Sequence, residues 1–171
     1  MINRKIPKLE LRRQIFHAAL GLAIIILLVL DLIDAWYIFI ALLFGGLLAI
    51  MSRNYKIPVV CWFLKKFERK LAFKKLPGKG PILYFIGILL ALQLFPKDIA
   101  LASIAILAFG DSASHLVGKY FGMIKHPLSS KRVLEGSLAG LIAGFVGAAF
   151  FVAPLEAFVA ALAGMIIEVL E

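Results

Sequence analysis

The sequence is short of charge, of cysteine and of long polar stretches. Only 17% of its 171 residues are charged, against 63% hydrophobic, and the mean hydropathy is +0.99. A water-soluble domain needs a polar exterior that this composition cannot supply, which places the chain in the membrane class. The single cysteine, Cys61, excludes an internal disulfide and a cysteine-based metal site. Acids are scarce too, 10 against 19 Lys and Arg, for a net charge of +9. Topology and anionic headgroups account for such basicity in a membrane protein, so nucleic acid is not expected as a partner. No internal repeat or separate soluble segment is visible, and residues 1–171 read as one integral membrane domain.

Long apolar runs fill the rest. A bilayer core takes about 20 apolar helical residues. Residues 35–52, 80–96 and 136–155 carry no charge, and 14–30 is uncharged apart from His17. Residues 99–118 are interrupted by Asp111 alone, and 154–169 carry Glu156 and Glu168 near their two ends. The expected fold is all-α: a multi-pass transmembrane helical bundle of about six spans, the sixth short. The first run lacks a small-residue cleavage site and does not read as a signal peptide.

Charge orients the bundle. Of the 19 basic residues, five lie in 4–13, nine in 53–79 and four in 119–132. With six spans these segments share one side, and Asp31, Asp34, Asp98 and Lys97 lie on the other. Basic loops stay cytoplasmic, so both termini are expected there. In 53–79, Val60, Leu64, Phe67 and Leu71 recur at helical spacing with Lys65 and Arg69 opposite. That predicts an interfacial amphipathic helix over 57–76, a solvated loop being the alternative. Pro77-Gly78-Lys79-Gly80-Pro81 ends it and starts the third span.

Residues 110–137 carry the candidate chemistry. Asp111 follows twelve uncharged residues inside a span, where a carboxylate is costly and needs a partner or a task. Ser114, His115, Gly118 and Gly122 share its helix face, suggesting a cleft open to the cytoplasm; a structural ion pair is the alternative. Further on, Ser129 or Ser130 is expected to cap the fifth span, with Lys131 and Arg132 in its first turn. Cations are unfavourable at that end of a helix dipole unless an anion binds there as well. Free N–H groups and two cations together suit a polyphosphate. Positive-inside bias with a Lys131–Glu135 pair is the plainer reading. Glu135, one turn inside, is placed facing Asp111, and two carboxylates by a phosphate site suggest Mg²⁺. Glu10, Arg13, His17 and Gly21 share a face at the start of the first span. Gly136, Gly140 and Gly144 form a small-residue ladder; close helix packing or backbone approach to a ligand would each use it, and both apply to Gly118 and Gly136.

Phe109-Gly110-Asp111-Ser112-Ala113-Ser114-His115-Leu116-Val117-Gly118-Lys119-Tyr120-Phe121-Gly122, followed by Ser130-Lys131-Arg132-Val133-Leu134-Glu135-Gly136-Ser137, resembles the CTP-dependent lipid and polyprenol kinases, which include dolichol kinase, phytol kinase and CTP-dependent diacylglycerol kinase. Ser114 stands where that family usually has Ala. Arg12-Arg13-Gln14-Ile15-Phe16-His17 resembles the start of its first helix, and Lys65-Lys66-Phe67-Glu68 stands where a further basic–acidic motif is often found. The family usually continues past the Glu168 region into a D-N-x-x-x-P segment, and this sequence ends at Glu171. A more distant likeness is to phosphatidate cytidylyltransferases, but their G-H-G-G and D-R-x-D elements are missing.

The resemblance implies transfer of the γ-phosphoryl of CTP to a polyprenol or diradylglycerol hydroxyl. CDP-lipid synthesis is the alternative, and a small membrane transporter the second. It implies Asp111 and Glu135 as Mg²⁺ ligands, Glu135 also as a possible proton acceptor, and Lys131 and Arg132 as phosphate clamps. Lys119 would steer the nucleotide, Arg13 and His17 would complete the rim, and Gly118 and Gly136 would admit the ligand. Partners are CTP, a lipid or isoprenoid alcohol and the bilayer.

Overall fold

A computed structural model describes residues 8–52, 67, 78–127, 129 and 132–170. The expected amphipathic helix over 57–76 and Lys131 fall outside these residues, Phe67 excepted. Among the described residues there is no strand, only an isolated antiparallel bridge between Lys125 and Val133. The helices are α1 (Lys8–Val29), α2 (Ala35–Met51), α3 (Lys79–Leu94), α4 (Lys97–Ala105), α5 (Asp111–Phe121), α6 (Leu134–Ala148) and α7 (Pro154–Leu170). A π-helical turn, Ile106–Gly110, joins α4 to α5. A helix therefore occupies most of each apolar run, the run 136–155 being helical as far as Ala148. Two helices, Lys8–Val29 and the continuous Lys97–Phe121, are long and apolar enough to cross a membrane; Ala35–Met51, Lys79–Leu94 and Leu134–Ala148 are shorter apolar helices. Large apolar side chains such as Leu22, Leu43, Phe44, Leu138, Phe150 and Ile167 project outward. Soluble monomers rarely expose so much apolar surface, and a lipid environment covers it.

The chain divides into two compact units, one of Met1–Ile26 with Phe95–Glu171, the other of Leu27–Leu94. In the second unit, Asp31 takes a left-handed conformation (φ 53°) in the turn after α1, which its short polar side chain tolerates. Asp34 caps α2, accepting the N–H of Trp36 at 2.8 Å and of Tyr37 at 3.4 Å. Gly78 starts α3 with φ +79°, and a Cβ there would come within 2.8 Å of the Ala49 methyl. Glycine is thus required both by conformation and by the approach of α2.

The first unit is built on small residues. Ala102, Ile106, Ala148, Ala157 and Ala161 form a buried cluster that Leu141, Phe145, Phe151 and Val152 surround. The glycine ladder of α6 lies against the α4–α5 helix backbone to backbone. A Cβ on Gly136 would stand 2.7 Å from the Ser114 carbonyl and 3.0 Å from Gly118 Cα. One on Gly140 would stand 2.9 Å from the Gly110 carbonyl. In lipid, where apolar side chains gain little by meeting one another, such close approach supplies the packing energy.

The start of α6 departs from expectation. No serine caps it: the N-cap is Val133, in extended conformation, with no side-chain cap bond. Arg132 therefore lies ahead of the helix, not in its first turn. The cause is local pairing: His126 N–H donates to the Arg132 carbonyl at 3.0 Å and Leu134 N–H to the Ile124 carbonyl at 3.0 Å. Residues 124–126 and 132–134 are thereby held together as a short clasp.

Candidate active site

The polar groups of the first unit gather into two clusters. The first is centred on Asp111, at the start of α5 directly after the π turn. Such turns interrupt the regular i→i−4 ladder and recur at functional sites. Here the Leu107 carbonyl within the turn lies 3.2 Å from His17 Nε2. A carbonyl only accepts, so this contact puts the proton on Nε2. His17 Nε2 is also 3.8 Å from Asp111 Oδ2. His115, one turn along α5, brings its Nε2 to 3.3 Å from Asp111 Oδ1.

The cluster is completed from outside α5. Glu168, near the end of α7, pairs through Oε1 with the Arg132 guanidinium and accepts the Ser114 hydroxyl at 2.7 Å. Arg132 Nη1 is also 3.3 Å from His115 Nε2. The residue that departs from the family pattern thus has a task, since the Ser114 hydroxyl holds the Glu168 carboxylate in place. One oxygen each of Asp111 and Glu168 and a ring nitrogen of His115 lie within 4.8 Å of one another.

This donor set fits a divalent cation. His115 Nε2 faces the Asp111 carboxylate, which needs a donor, and the Arg132 N–H, which needs an acceptor; one ring nitrogen cannot be both. A cation held by the two carboxylates and the imidazole lone pair would neutralise the carboxylates, and the Arg132 N–H keeps Glu168 as its acceptor. Two carboxylates also suit the hard, oxygen-preferring Mg²⁺.

The second cluster surrounds Glu10 on α1, a carboxylate only 5% exposed. It pairs with Arg13 Nη2 at 2.9 Å and with Lys119 Nζ at 3.7 Å. It also accepts from Gln14 Nε2 at 3.4 Å. Gln14 is itself 2% exposed, and its backbone carbonyl accepts the Ser112 hydroxyl at 3.2 Å. Arg13 and Lys119 are therefore neighbours because one buried anion holds both.

His17 lies 3.8 Å from Asp111, Arg132 meets His115 and Glu168 beside it, and Arg13 and Lys119 both meet Glu10 in the second cluster. Glu135 does not join Asp111. Its carboxylate accepts the backbone N–H of Met123 at 3.0 Å and of Ile124 at 3.1 Å. Its own N–H, with those of Met123 and Ile124, holds its carboxyl below the usual carboxylate range. Facing Asp111, where Glu135 was expected, stands Glu168. Gly118 and Gly136 do not face a ligand through their Cα atoms either. A Cβ on Gly118 would meet Gly136 Cα at 3.4 Å and Val133 at 3.0 Å, so the space is filled by protein. The sequence placed Glu10 on one face with Arg13 and His17 but gave it no pairing role, and it assigned no task to Glu168 or to the bonding groups of Ser114 and His115. An acid inside an apolar helix was the available signal for Glu168, as it was for Asp111.

Comparison with known proteins adds a second line. The chain is 27% identical over 152 residues to CTP-dependent diacylglycerol kinase 1 of Eremothecium gossypii, covering 85% of this chain and 47% of that protein. It is 23% identical over 162 residues to CTP-dependent diacylglycerol kinase 1 of Saccharomyces cerevisiae, covering 82% of this chain and 50% of the relative. A probable chloroplastic phytol kinase of Triticum aestivum is 34% identical over 70 residues, 40% of this chain and 23% of its own. The chain spans about half the length of the two diacylglycerol kinases it matches. No protein-family profile matches the chain, and no solved structure matches it significantly. Its curated homologues are thus CTP-dependent diacylglycerol kinases and phytol kinases, in line with the lipid-kinase family that its motifs resemble.

Proposed function

We propose that the chain transfers the γ-phosphoryl group of CTP to the hydroxyl of a membrane lipid alcohol, a diradylglycerol or a polyprenol. The reaction takes place at the cytoplasmic face of a six-span bundle whose basic segments share that side. The observation that carries this reading is the Asp111–His115–Glu168–Arg132 cluster, built inside a motif that resembles these kinases.

Phosphoryl transfer asks for charge neutralisation and in-line positioning more than for covalent chemistry. A Mg²⁺ ion would be held by Asp111 and Glu168 beside His115, and would neutralise charge on the phosphate oxygens. Arg132 offers a planar guanidinium fork, part of it engaged by Glu168, with N–H groups left to bind a phosphate oxygen. Arg13 and Lys119, held side by side by Glu10, supply positive charge for the rest of the triphosphate, and Lys131 would add to it. His17, with its Nε2 proton directed at Leu107, stands at the rim beside Asp111. The lipid hydroxyl oxygen attacks the γ-phosphorus, and the bond to the β-phosphate oxygen breaks to release CDP. The hydroxyl proton passes to a carboxylate oxygen of the cluster. Glu135, tied to the Met123 and Ile124 backbone, acts as a positioning residue that shapes the clasp presenting Arg132.

The test is to incubate the purified protein in vesicles with lipid alcohols and either γ-labelled or α-labelled CTP. Label in the lipid from the γ position is expected. Label from the α position would establish CDP-lipid synthesis instead, and label from neither would overturn the enzymatic reading.

A further inference from the structure

The helix that carries Asp111 meets the glycine ladder of α6 through four residues. A Cβ on Gly144 would lie 3.5 Å from Ile106 Cγ2, and one on Gly110 3.3 Å from the Gly140 carbonyl. One on Gly140 would lie 2.8 Å from Ser114 Cβ, and one on Gly136 3.0 Å from Gly118 Cα. Ile106, Gly110, Ser114 and Gly118 thus form one line, four residues apart at each step. An α-helix turns about 100° per residue, so the span from Ile106 to Gly118 would carry that line about 120° beyond three full turns. The π turn Ile106–Gly110 takes up one residue more than an α turn, which cuts the offset to about 20°. Asp111 and His115, each one place after a ladder residue, are thereby turned off α6, toward His17 and Glu168.

The turn is held from α1. A π turn breaks the regular ladder, and a carbonyl inside it is open to a donor from another helix. The Leu107 carbonyl takes the His17 Nε2 proton at 3.2 Å. The same edge of α1 is fastened to α5 at two further points: the Gln14 carbonyl accepts the Ser112 hydroxyl at 3.2 Å, and Glu10 pairs with Lys119 at 3.7 Å. Gln14 and Ser112 are both buried. Without the His17 donor, the extra residue can move along the helix by exchanging hydrogen-bond partners, and each residue it passes turns by about 100°. Once it passes Asp111, the carboxylate leaves the cluster while both ends of the helix stay on the ladder.

We propose that His17 is a positioning residue: by donating to the Leu107 carbonyl it keeps the extra residue within the π turn, and through the turn it holds the Asp111 carboxylate toward His115 and Glu168. The proposal rests on the lipid-kinase reading for its effect on rate, and on the Asp111 cation site for its effect on binding. It assigns His17 neither a cation nor a substrate proton. With the Nε2 proton directed at Leu107, that nitrogen has no lone pair for either. What matters on this account is the N–H, not the ring.

The test compares the wild type, His17→Gln and His17→Leu, each as the full chain in vesicles. Glutamine carries an amide N–H to about the reach of the imidazole Nε2, whereas leucine fills similar space and donates nothing. Mn²⁺ affinity is read by electron paramagnetic resonance with CTP and no lipid acceptor, and kcat is read separately with γ-labelled CTP. A misdirected Asp111 should cost His17→Leu about tenfold or more in both, while His17→Gln stays within about threefold of the wild type. Wild-type affinity and rate in His17→Leu would overturn the proposal. A folded His17→Gln as impaired as His17→Leu would overturn it too, because the ring itself would then be required. Should His17→Leu fail to fold, His17→Asn takes its place, since its amide is too short to reach Leu107. Affinities that follow the N–H in a protein without transfer keep the positioning role and remove the kinase reading. Transfer whose rate does not follow the N–H does the reverse.

Discussion

The two polar clusters of the first unit use similar residues to opposite ends. Around Glu10, one carboxylate faces two cations and an amide, almost wholly out of solvent. Around Asp111, two carboxylates share one arginine and two histidines, and the Asp111 side chain is 30% exposed. The first is saturated: every oxygen has a donor, and a further cation would meet only positive charge. The second has one arginine for two carboxylates, and His115 Nε2 stands between the Asp111 carboxylate and the Arg132 guanidinium. A carboxylate kept in a membrane helix must be neutralised by something. Glu10 is neutralised by the protein, and on the proposed reading Asp111 would be neutralised by a cation brought with the nucleotide.

The largest effect is expected at Asp111. Asp111→Asn keeps the shape and loses the charge, so kcat should fall by about 100-fold or more, about 2.7 kcal/mol of barrier. Thermal unfolding in detergent should be unchanged or shifted upward, because a costly charge has gone. Near-normal turnover would show that Asp111 is structural and that the two clusters do not differ in kind.

The opposite pattern is expected at Glu10. Glu10→Gln leaves Arg13 and Lys119 adjacent without their counter-charge. Removing one partner of a buried ion pair is strongly destabilising, and the partial exposure of both cations reduces the loss here to about 2 kcal/mol. A lowered unfolding temperature with a raised KM for CTP and a nearly normal kcat would bear this out. A collapse of kcat in a protein of unchanged stability would break the comparison.

How much of this was legible in the sequence follows from what each signal depends on. Asp111 stood out because it is the one acid in an otherwise uncharged run, and the glycine ladder because its period matches a helix face. The π turn left no such mark, since Ile106–Gly110 is as apolar as its surroundings. Glu168 was passed over because an acid near the end of an apolar run is ordinary there. Its partners Arg132 and Ser114 lie 36 and 54 residues away and meet it only in the fold. Glu135 was misplaced because closeness in a motif suggested a shared cleft. Two backbone N–H groups left open after α5 were nearer, and a carboxylate satisfies both at once.

A smaller effect is expected at Ser114. Ser114→Ala introduces the residue usual in the kinases that the motif resembles and removes one hydrogen bond to Glu168, worth about 1 kcal/mol. A fall in kcat of about three- to fivefold, with stability kept, is expected from that loss. An unchanged rate would mean that Arg132 alone holds Glu168.

The most direct test of the central claim is cation binding measured without turnover. Mn²⁺, which favours the same oxygen ligands as Mg²⁺, is titrated by electron paramagnetic resonance into the wild type, Asp111→Asn and Glu10→Gln, each with CTP and no lipid acceptor. One bound Mn²⁺ is expected in the wild type and in Glu10→Gln, and its loss in Asp111→Asn. Binding that survives Asp111→Asn would contradict the account.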